Sequence, residues 1–492
     1  MRELILSIDQ GTTGTTALFL KKDVTVAAKH NVEFPNHYPQ PGWVEHDLDE
    51  IWNSVKQAVQ GAVEKLGDVP FKIVAIGITN QRETCVFWDK ATGKPIHRAL
   101  VWQDRRTAER CAELKKQGLE EEVKKRTGLV LDPYFSGTKA QWLLDHVEGS
   151  RERGRRGDLL FGTIDTYLIW KLSGAHVTDA SNASRTLLFN IHTVSWDPYL
   201  LDLLDVPEAS LPKVVDNAQV VGHTKGISFL EDGIPVAGVA GDQQSALFGQ
   251  ACFSPGAAKC TYGTGAFLLM NTGSEPVPSN NGLLTTVAWR LNGRVTYALE
   301  GSAFIAGAAV QWLRDGLGLI RSAPEIETLA EKVDDSNGVC FVPALAGLGA
   351  PHWKPDARGI LSGITGGTTK DHVAYAVLEG VAMQIVDILE AMSSDSGQNL
   401  SMLKVDGGMS QNNFMMQMQA DLLQTSCSRP QVLETTALGA AFLAGLGVGF
   451  WDSTQAILEA WCLDRQFHSK SSEEDVSQKK KAWKKAINRA SI

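Results

Sequence analysis

The chain has 492 residues, 43% of them hydrophobic and 21% charged, which suits two to three units at about 150 residues each and sets it apart from disordered and fibrous compositions. Its formal net charge of −9 excludes a broad basic footprint for nucleic acid or anionic lipid, so any anionic ligand has to be held by a local device. Seven scattered cysteines with no C-x-x-C pair argue against a disulfide framework and a zinc site, and predict a reducing compartment.

The first predicted element is a hairpin, "ILSIDQGTTGTTALFL" (Ile5 to Leu20). Two apolar runs flank a turn of one acid, two glycines and four threonines, more hydroxyls than a connection needs. The apolar run before Asp9 is too short for a signal-peptide core, and no segment approaches about 18 uninterrupted apolar residues, so a cytoplasmic protein without membrane insertion is expected. "DEIWNSVKQAVQGAVEKLG" has helical periodicity with an acidic first turn, and "KIVAIGITN" (Lys72 to Asn80) reads as a buried strand. That alternation predicts an α/β fold with a mixed or parallel sheet. "TAERCAELKKQGLEEEVKKRTG" reads as an exposed pair of charged helices.

In the middle, "GIPVAGVAGDQQSALFGQ" reads as a strand and a helix. A second hairpin follows, "KCTYGTGAFLLMN", whose turn again consists of Gly and Thr (Gly263, Thr264, Gly265). The repetition predicts two halves on one plan, residues 1–250 and 251–492. Further on, "KVDGGMSQNNFMMQMQADLL" (Lys404 to Leu423) is a strand running through Asp-Gly-Gly into a helix. The last 25 or so residues, from His468, read as an N-capped basic helix at the surface, where solvation accounts for the charge.

Backbone N–H groups in tight Gly-containing turns converge on anions, and threonine hydroxyls add donors. The chain lacks both the G-x-x-x-x-G-K-[ST] loop and a G-x-G-x-x-G opening a helix. Two Gly/Thr turns, one from each half, therefore predict a phosphate site of another kind, with Asp9 beside it to serve Mg²⁺. The Asp-Gly-Gly turn and the helix after it would complete a nucleotide site.

"DQGTTGT", "GITNQRETCVFWD", "VWQDRRT", "LDPYFSGTKAQWLLD", "GDQQSALFGQ", "YGTGAFLLMNTG", "GLGAPHW" and "DGGMSQNN" stand in this order. The set resembles the glycerol kinase family, carbohydrate kinases that share an ATPase core with actin, hexokinase and heat-shock chaperones. The similarity runs from Leu4 to about Trp451. It implies two ribonuclease-H-like (actin-like ATPase) domains with a central cleft, ATP and Mg²⁺ as cofactors, and glycerol as substrate. Carried over by position, Arg82 and Glu83 look like the pair that bonds glycerol hydroxyls. Trp102 and Phe267 look like its aromatic walls, and Tyr134 like a further hydroxyl contact. Asp242 looks like the catalytic carboxylate, with Gln243 beside it. Thr12, Thr13 and Gly14 match the first phosphate loop and Thr264 the second. Gly307, Gln311, Gly408 and Asn412 match nucleotide positions, and Asp9 with Asp242 the magnesium-associated acids. Where many relatives carry Arg in the first hairpin, this chain has Thr16. The segment before "GDQQ" lacks the arginine and the histidine through which some relatives are regulated. A homo-oligomer, dimer or tetramer, is left open.

The residue types suit the implied chemistry. Phosphoryl transfer to an alcohol needs charge neutralisation and a carboxylate to accept the proton. Asp242 could do so while also capping the helix it begins. Arg82 and Glu83, adjacent in sequence, would point to opposite faces on a strand and can converge only on a loop. A kinase for another small polyol or sugar, and an actin-like or chaperone-like ATPase, are the competing readings. The three aromatic residues narrow the pocket toward three carbons, and Arg82, Glu83 and Asp-Gln-Gln serve a polyol better than a lone water. Because the implied site draws on both halves, the cleft is expected to close on its ligands.

Overall fold

The computed structural model describes residues 2–354 and 356–491. The first sheet starts with the predicted hairpin, β1 (Arg2–Gln10) and β2 (Gly14–Leu20), and continues through β3 (Val26–Glu33), α1 (Leu48–Leu66) and β4 (Phe71–Asn80). β5 (Ala218–His223) and β6 (Pro235–Gly241) complete it, in the order β5-β6-β4-β1-β2-β3. β1 is central, parallel to β4 and antiparallel to β2. Its apolar run, interrupted only by Ser7, follows from burial on both faces: Leu4, Leu6 and Ile8 join the core under α1, while Ile5 joins a different core on the opposite face. α1 is N-capped by Asp47, whose side chain accepts from Asp49 N, and it buries Ile51, Val55, Ala58, Val59 and Ala62 along one stripe.

α2 (Asp242–Gly249) follows β6 directly. The second sheet then repeats the plan: the hairpin β7 (Ala257–Tyr262) and β8 (Ala266–Gly273), then β9 (Leu284–Leu291) and β10 (Arg294–Ala303). The short α3 (Gly307–Gln311), the long α4 (Lys370–Ser396), β11 (Met402–Asp406), α5 (Asn413–Leu423), β12 (Cys427–Pro430), α6 (Thr435–Gly447), β13 (Leu463–Phe467) and α7 (Glu473–Ala490) come after. Strand order is β9-β10-β8-β7-β11-β12-β13, with β7 parallel to β11 as β1 is to β4. α4 is long and apolar enough to cross a membrane by length and composition. Val377, Val381, Ile385 and Ile388 on it are nevertheless buried in the second core.

α6 breaks the strict division along the chain. It comes late in the sequence yet packs on the first sheet and along α2, with Ser7 Oγ donating to Ala437 O at 2.7 Å. The approach is so close that a Cβ on Gly439 would lie 1.8 Å from Ser245 O, and one on Gly77 would lie 2.1 Å from Ala440 O. The two halves share a core here: Leu247, Phe248, Leu269, Trp289, Leu438 and Phe442 all belong to it.

The C-terminal helix α7 is N-capped by Ser472, as predicted, but it is not simply solvated. Val476, Trp483 and Ile487 are buried, Trp483 Nε1 donates to Asp387 Oδ2 at 2.7 Å, and Lys479 and Lys480 pair with Glu379 and Glu390 on α4. The charged helix pair is present as Ala108–Lys116 and Glu120–Thr127.

Candidate active site

Both Gly/Thr turns close as the sequence predicts. In the first, Gly11 N donates to Gly14 O at 2.9 Å, and a Cβ on Gly14 would meet Val32 O at 3.0 Å. Thr13 is exposed and Thr12 half-buried. In the second, Gly263 N donates to Gly265 O at 2.8 Å, leaving Thr264 exposed. Gly307 lies against that turn: its N donates to Gly263 O at 2.9 Å, and a Cβ there would come 2.6 Å from the same oxygen and 3.6 Å from Met409 Sδ. Gly407 packs as closely on Tyr262 O, so the Asp-Gly-Gly turn stands beside the second hairpin. Gly408 is exposed, and no atom lies within 4 Å of where its Cβ would be. Asn412 caps α5, its Oδ1 accepting from Met415 N at 2.8 Å. Gln311, at the end of α3, is exposed.

Arg82 and Glu83 converge through a turn: Thr84 N donates to Arg82 O at 2.7 Å across Glu83, whose φ is +61°. Such a conformation is costly for a residue with a Cβ and persists where surrounding contacts enforce it. Here Ser136 Oγ donates to Glu83 O at 2.9 Å. Both side chains are buried, at 2% and 1% exposure, whereas the Asp242 carboxylate is 31% exposed and reaches Arg82 Nε at 3.1 Å. Asp242 is the first residue of α2, not its cap; Gly241 takes that place, and Asp242 Oδ1 accepts from Gln243 N at 2.7 Å.

Trp102 and Tyr134 meet edge to face, with centroids 5.5 Å apart and planes at 89°. Tyr134 OH accepts from Arg82 Nη2 at 3.4 Å. Trp102 Nε1 donates to Thr12 Oγ1 at 2.9 Å, a direct link from the aromatic pair to the first Gly/Thr turn. A second link runs underneath: buried His46 contacts Asn36 Oδ1 and, through Nδ1, Gln81 Nε2 at 3.1 Å, and the same Nε2 donates to Gln10 Oε1 and Gly11 O. Burial holds the His46 ring neutral, pushing its pKa down to about 4.

Three groups absent from the sequence-based set complete the site. Glu300 on β10 accepts from Arg82 Nη1 and Nη2 at 2.5 and 3.0 Å and from Arg185 Nη2 at 3.0 Å. Burial opposes its charge, but Arg185 and Arg82 outweigh that and hold it at about 2. Arg185 also gives its Nε to Glu83 Oε1 at 2.7 Å, while burial pushes Glu83 up. Lys259 on β7 donates to Gln243 Oε1, to Thr261 Oγ1 at 2.9 Å and to Phe267 O at 3.3 Å, fixing two expected polyol contacts together. For Glu300 and Lys259 a signal was there, since each is a charge inside an otherwise strand-like stretch, "YALEG" and "AAKCTY", while Arg185 in the polar "NASRT" carried none. Asp9, at the end of β1, is pushed up to about 7, first by burial and then by the nearby charge of Asp242. Like charges on Asp9 and Asp242 oppose each other, and a bound cation would relieve that repulsion.

The model of the FGGY family of carbohydrate kinases, N-terminal domain, matches residues 4–249, and that of the C-terminal domain matches residues 258–448. The chain is 57% identical over 490 residues to a glycerol kinase of Myxococcus xanthus, covering 99% of each, and 56% identical over 493 residues to one of Caldanaerobacter subterraneus, covering 100% of this chain and 99% of the other. Its structure is similar to that of Plasmodium falciparum glycerol kinase with ADP, at TM-score 0.95 and 38% identity, covering 100% of this chain and 99% of that one. Gluconate kinase from Lactobacillus acidophilus shares the fold at TM-score 0.89 and 20% identity, covering 99% of this chain and 97% of that one.

Proposed function

The chain belongs to the FGGY family of carbohydrate kinases, and on that premise we propose that it transfers the γ-phosphoryl group of ATP to a primary hydroxyl of glycerol, with Asp242 as general base. The observation that carries the reading is the Asp242 carboxylate, partly open to solvent and 3.1 Å from buried Arg82, whose Nη2 also reaches Tyr134 OH at 3.4 Å. Division into domains of residues 1–250 and 251–492 fits the two sheets, with α6 returning to the first. The free cysteines, Cys462 exposed and the others buried or half-buried, suit a cytoplasmic setting.

In this reading Arg82 and Glu83 bond the glycerol hydroxyls, Trp102, Tyr134 and Phe267 enclose its carbons, and Gln243 is held toward them by Lys259. Thr12, Thr13 and Gly14 donate to phosphate from one side and Thr264 from the other. Gly307, Gln311, Gly408 and Asn412 border the nucleoside, and the bareness of Gly408 leaves room for a flat ring. Asp242 takes the hydroxyl proton as the oxygen bonds to the γ-phosphorus and the bond to the ADP oxygen breaks. The facing acids Asp9 and Asp242 fit Mg²⁺, which when bound would neutralise charge on the phosphates. Enclosure matters because water in the alcohol's place would waste ATP.

ADP release with MgATP, measured against glycerol, xylulose, erythritol and gluconate, tests the assignment. Glycerol should give the highest kcat/KM; a higher value on another substrate would overturn it. Asp242→Asn should still bind glycerol but lose roughly 10²- to 10⁴-fold in kcat, and near wild-type turnover in that variant would mean another residue is the base.

A further inference from the structure

We propose that Glu300, acting with Arg185, is the positioning residue that orients Arg82 and Glu83 toward the polyol and stops Arg82 from capturing the general base. The inference rests on the polyol site argued above and assigns its specificity to a carboxylate from the second half of the chain.

Arg82 has three carboxylates within reach. Glu300 takes both Nη nitrogens in a fork at 2.5 and 3.0 Å, Asp242 faces Nε at 3.1 Å, and Glu83 stands at 3.8 Å. Guanidinium groups prefer two-point pairing with a carboxylate. With the fork committed to Glu300, only the Nε edge remains for Asp242, at Oδ1, and among the described residues Oδ2 of Asp242 makes no hydrogen bond and is left for a hydroxyl. Without Glu300, Asp242 becomes the competing two-point partner, and the base is tied up.

Glu83 is handled in the same way. Arg185 Nε bonds its Oε1 at 2.7 Å and Arg185 Nη2 bonds Glu300 Oε1 at 3.0 Å, so one guanidinium sets the spacing of the two acids. Among the described residues, Oε2 of Glu83 makes no hydrogen bond, leaving one acceptor for the substrate. Arg185 stacks near Phe135 and Tyr134, at 5.2 and 5.8 Å from the ring centroids, which fixes its plane. Its Nη1 is buried without a partner.

A purely structural staple is the rival account, and the neighbourhood weakens it. Ser184 Oγ already bonds Thr286 Oγ1 at 2.9 Å and receives Val287 N at 3.3 Å, joining the segment of Arg185 without charge to β9, the strand paired with Glu300's β10. Buried ion networks add little stability over well-packed apolar side chains, so four buried charges beside the pocket call for another use.

Steady-state kinetics with each substrate varied, glycerol titration by calorimetry without nucleotide, and thermal unfolding should be compared for wild type, Glu300→Gln, Glu300→Asp and Arg185→Lys. Glu300→Gln should raise KM and Kd for glycerol about 10- to 100-fold, the range for lost charge-assisted hydrogen bonds, with KM for ATP within about twofold. Glu300→Asp, which keeps the charge, should recover at least about fivefold of that loss. If Glu300→Gln shows no cooperative unfolding, Arg185→Lys decides: glycerol KM should rise at least about fivefold with ATP unaffected. Glycerol KM within about twofold of wild type in the folded variants, or glycerol and ATP constants moving together, would overturn the proposal. If wild type prefers another polyol, the glycerol assignment fails on its own, and the same comparison is made with that polyol.

Discussion

Replacing Trp102 by Phe should weaken ATP binding at the proposed nucleotide site even though Trp102 belongs to the proposed polyol site. Phe keeps a ring against Tyr134, so much of the 5.5 Å edge-to-face contact survives. What is removed is the indole N–H that holds Thr12 Oγ1 at 2.9 Å. A neutral hydrogen bond contributes a net of about 0.5–1.5 kcal/mol, which at about 1.36 kcal/mol per tenfold predicts a roughly 2- to 13-fold rise in KM for ATP. Thr12→Val removes the other partner with little change of shape. The two variants and their double form a cycle, with kcat/KM for ATP measured at saturating glycerol. The coupling energy should be about 0.5–1.5 kcal/mol. Additivity within about 0.3 kcal/mol, or an effect of Trp102→Phe confined to glycerol KM, would refute the link.

Two further outcomes follow from packing and burial. His46 is buried and held neutral, with its pKa lowered from 6.5 to about 4. Its contribution is therefore fully present above pH 6.5 and is lost as pH falls toward 4, by up to about 3 kcal/mol at 1.36 kcal/mol per unit. Urea unfolding across that window should show His46→Gln with a flatter profile than wild type, and equal slopes would contradict it. Gly439→Ala places a Cβ 1.8 Å from the Ser245 carbonyl oxygen, on a neighbouring helix that cannot rotate away, and should cost about 3 kcal/mol or more. Gly408→Ala, with open space around it, should stay within about 0.5 kcal/mol of wild type in the same unfolding measurement.

The sequence by itself determined the two Gly/Thr hairpins, the strand "KIVAIGITN" and α1, because each is written in local turn chemistry or in a short hydrophobic period, whereas the residues assigned to the polyol came from the resemblance of whole motifs to a family. It also placed Arg82 beside Glu83 on a loop, though not the turn across Glu83 that makes them converge. Tertiary structure alone decided which charges stand behind that pair. Arg82 and Glu300 are 218 residues apart and Glu83 and Arg185 are 102 apart, and a charge within a strand-like run, as at Glu300, marks a buried group without naming the partner it meets. The same holds for α6, an apolar helix whose sequence shows that it is buried but not that it returns to the first sheet, and for α7, whose lysines read as solvated until α4 supplies their carboxylates. Local pattern reports whether a side chain is buried; its partner is set by the packing of segments distant in the chain, where register and close backbone approach choose the neighbour.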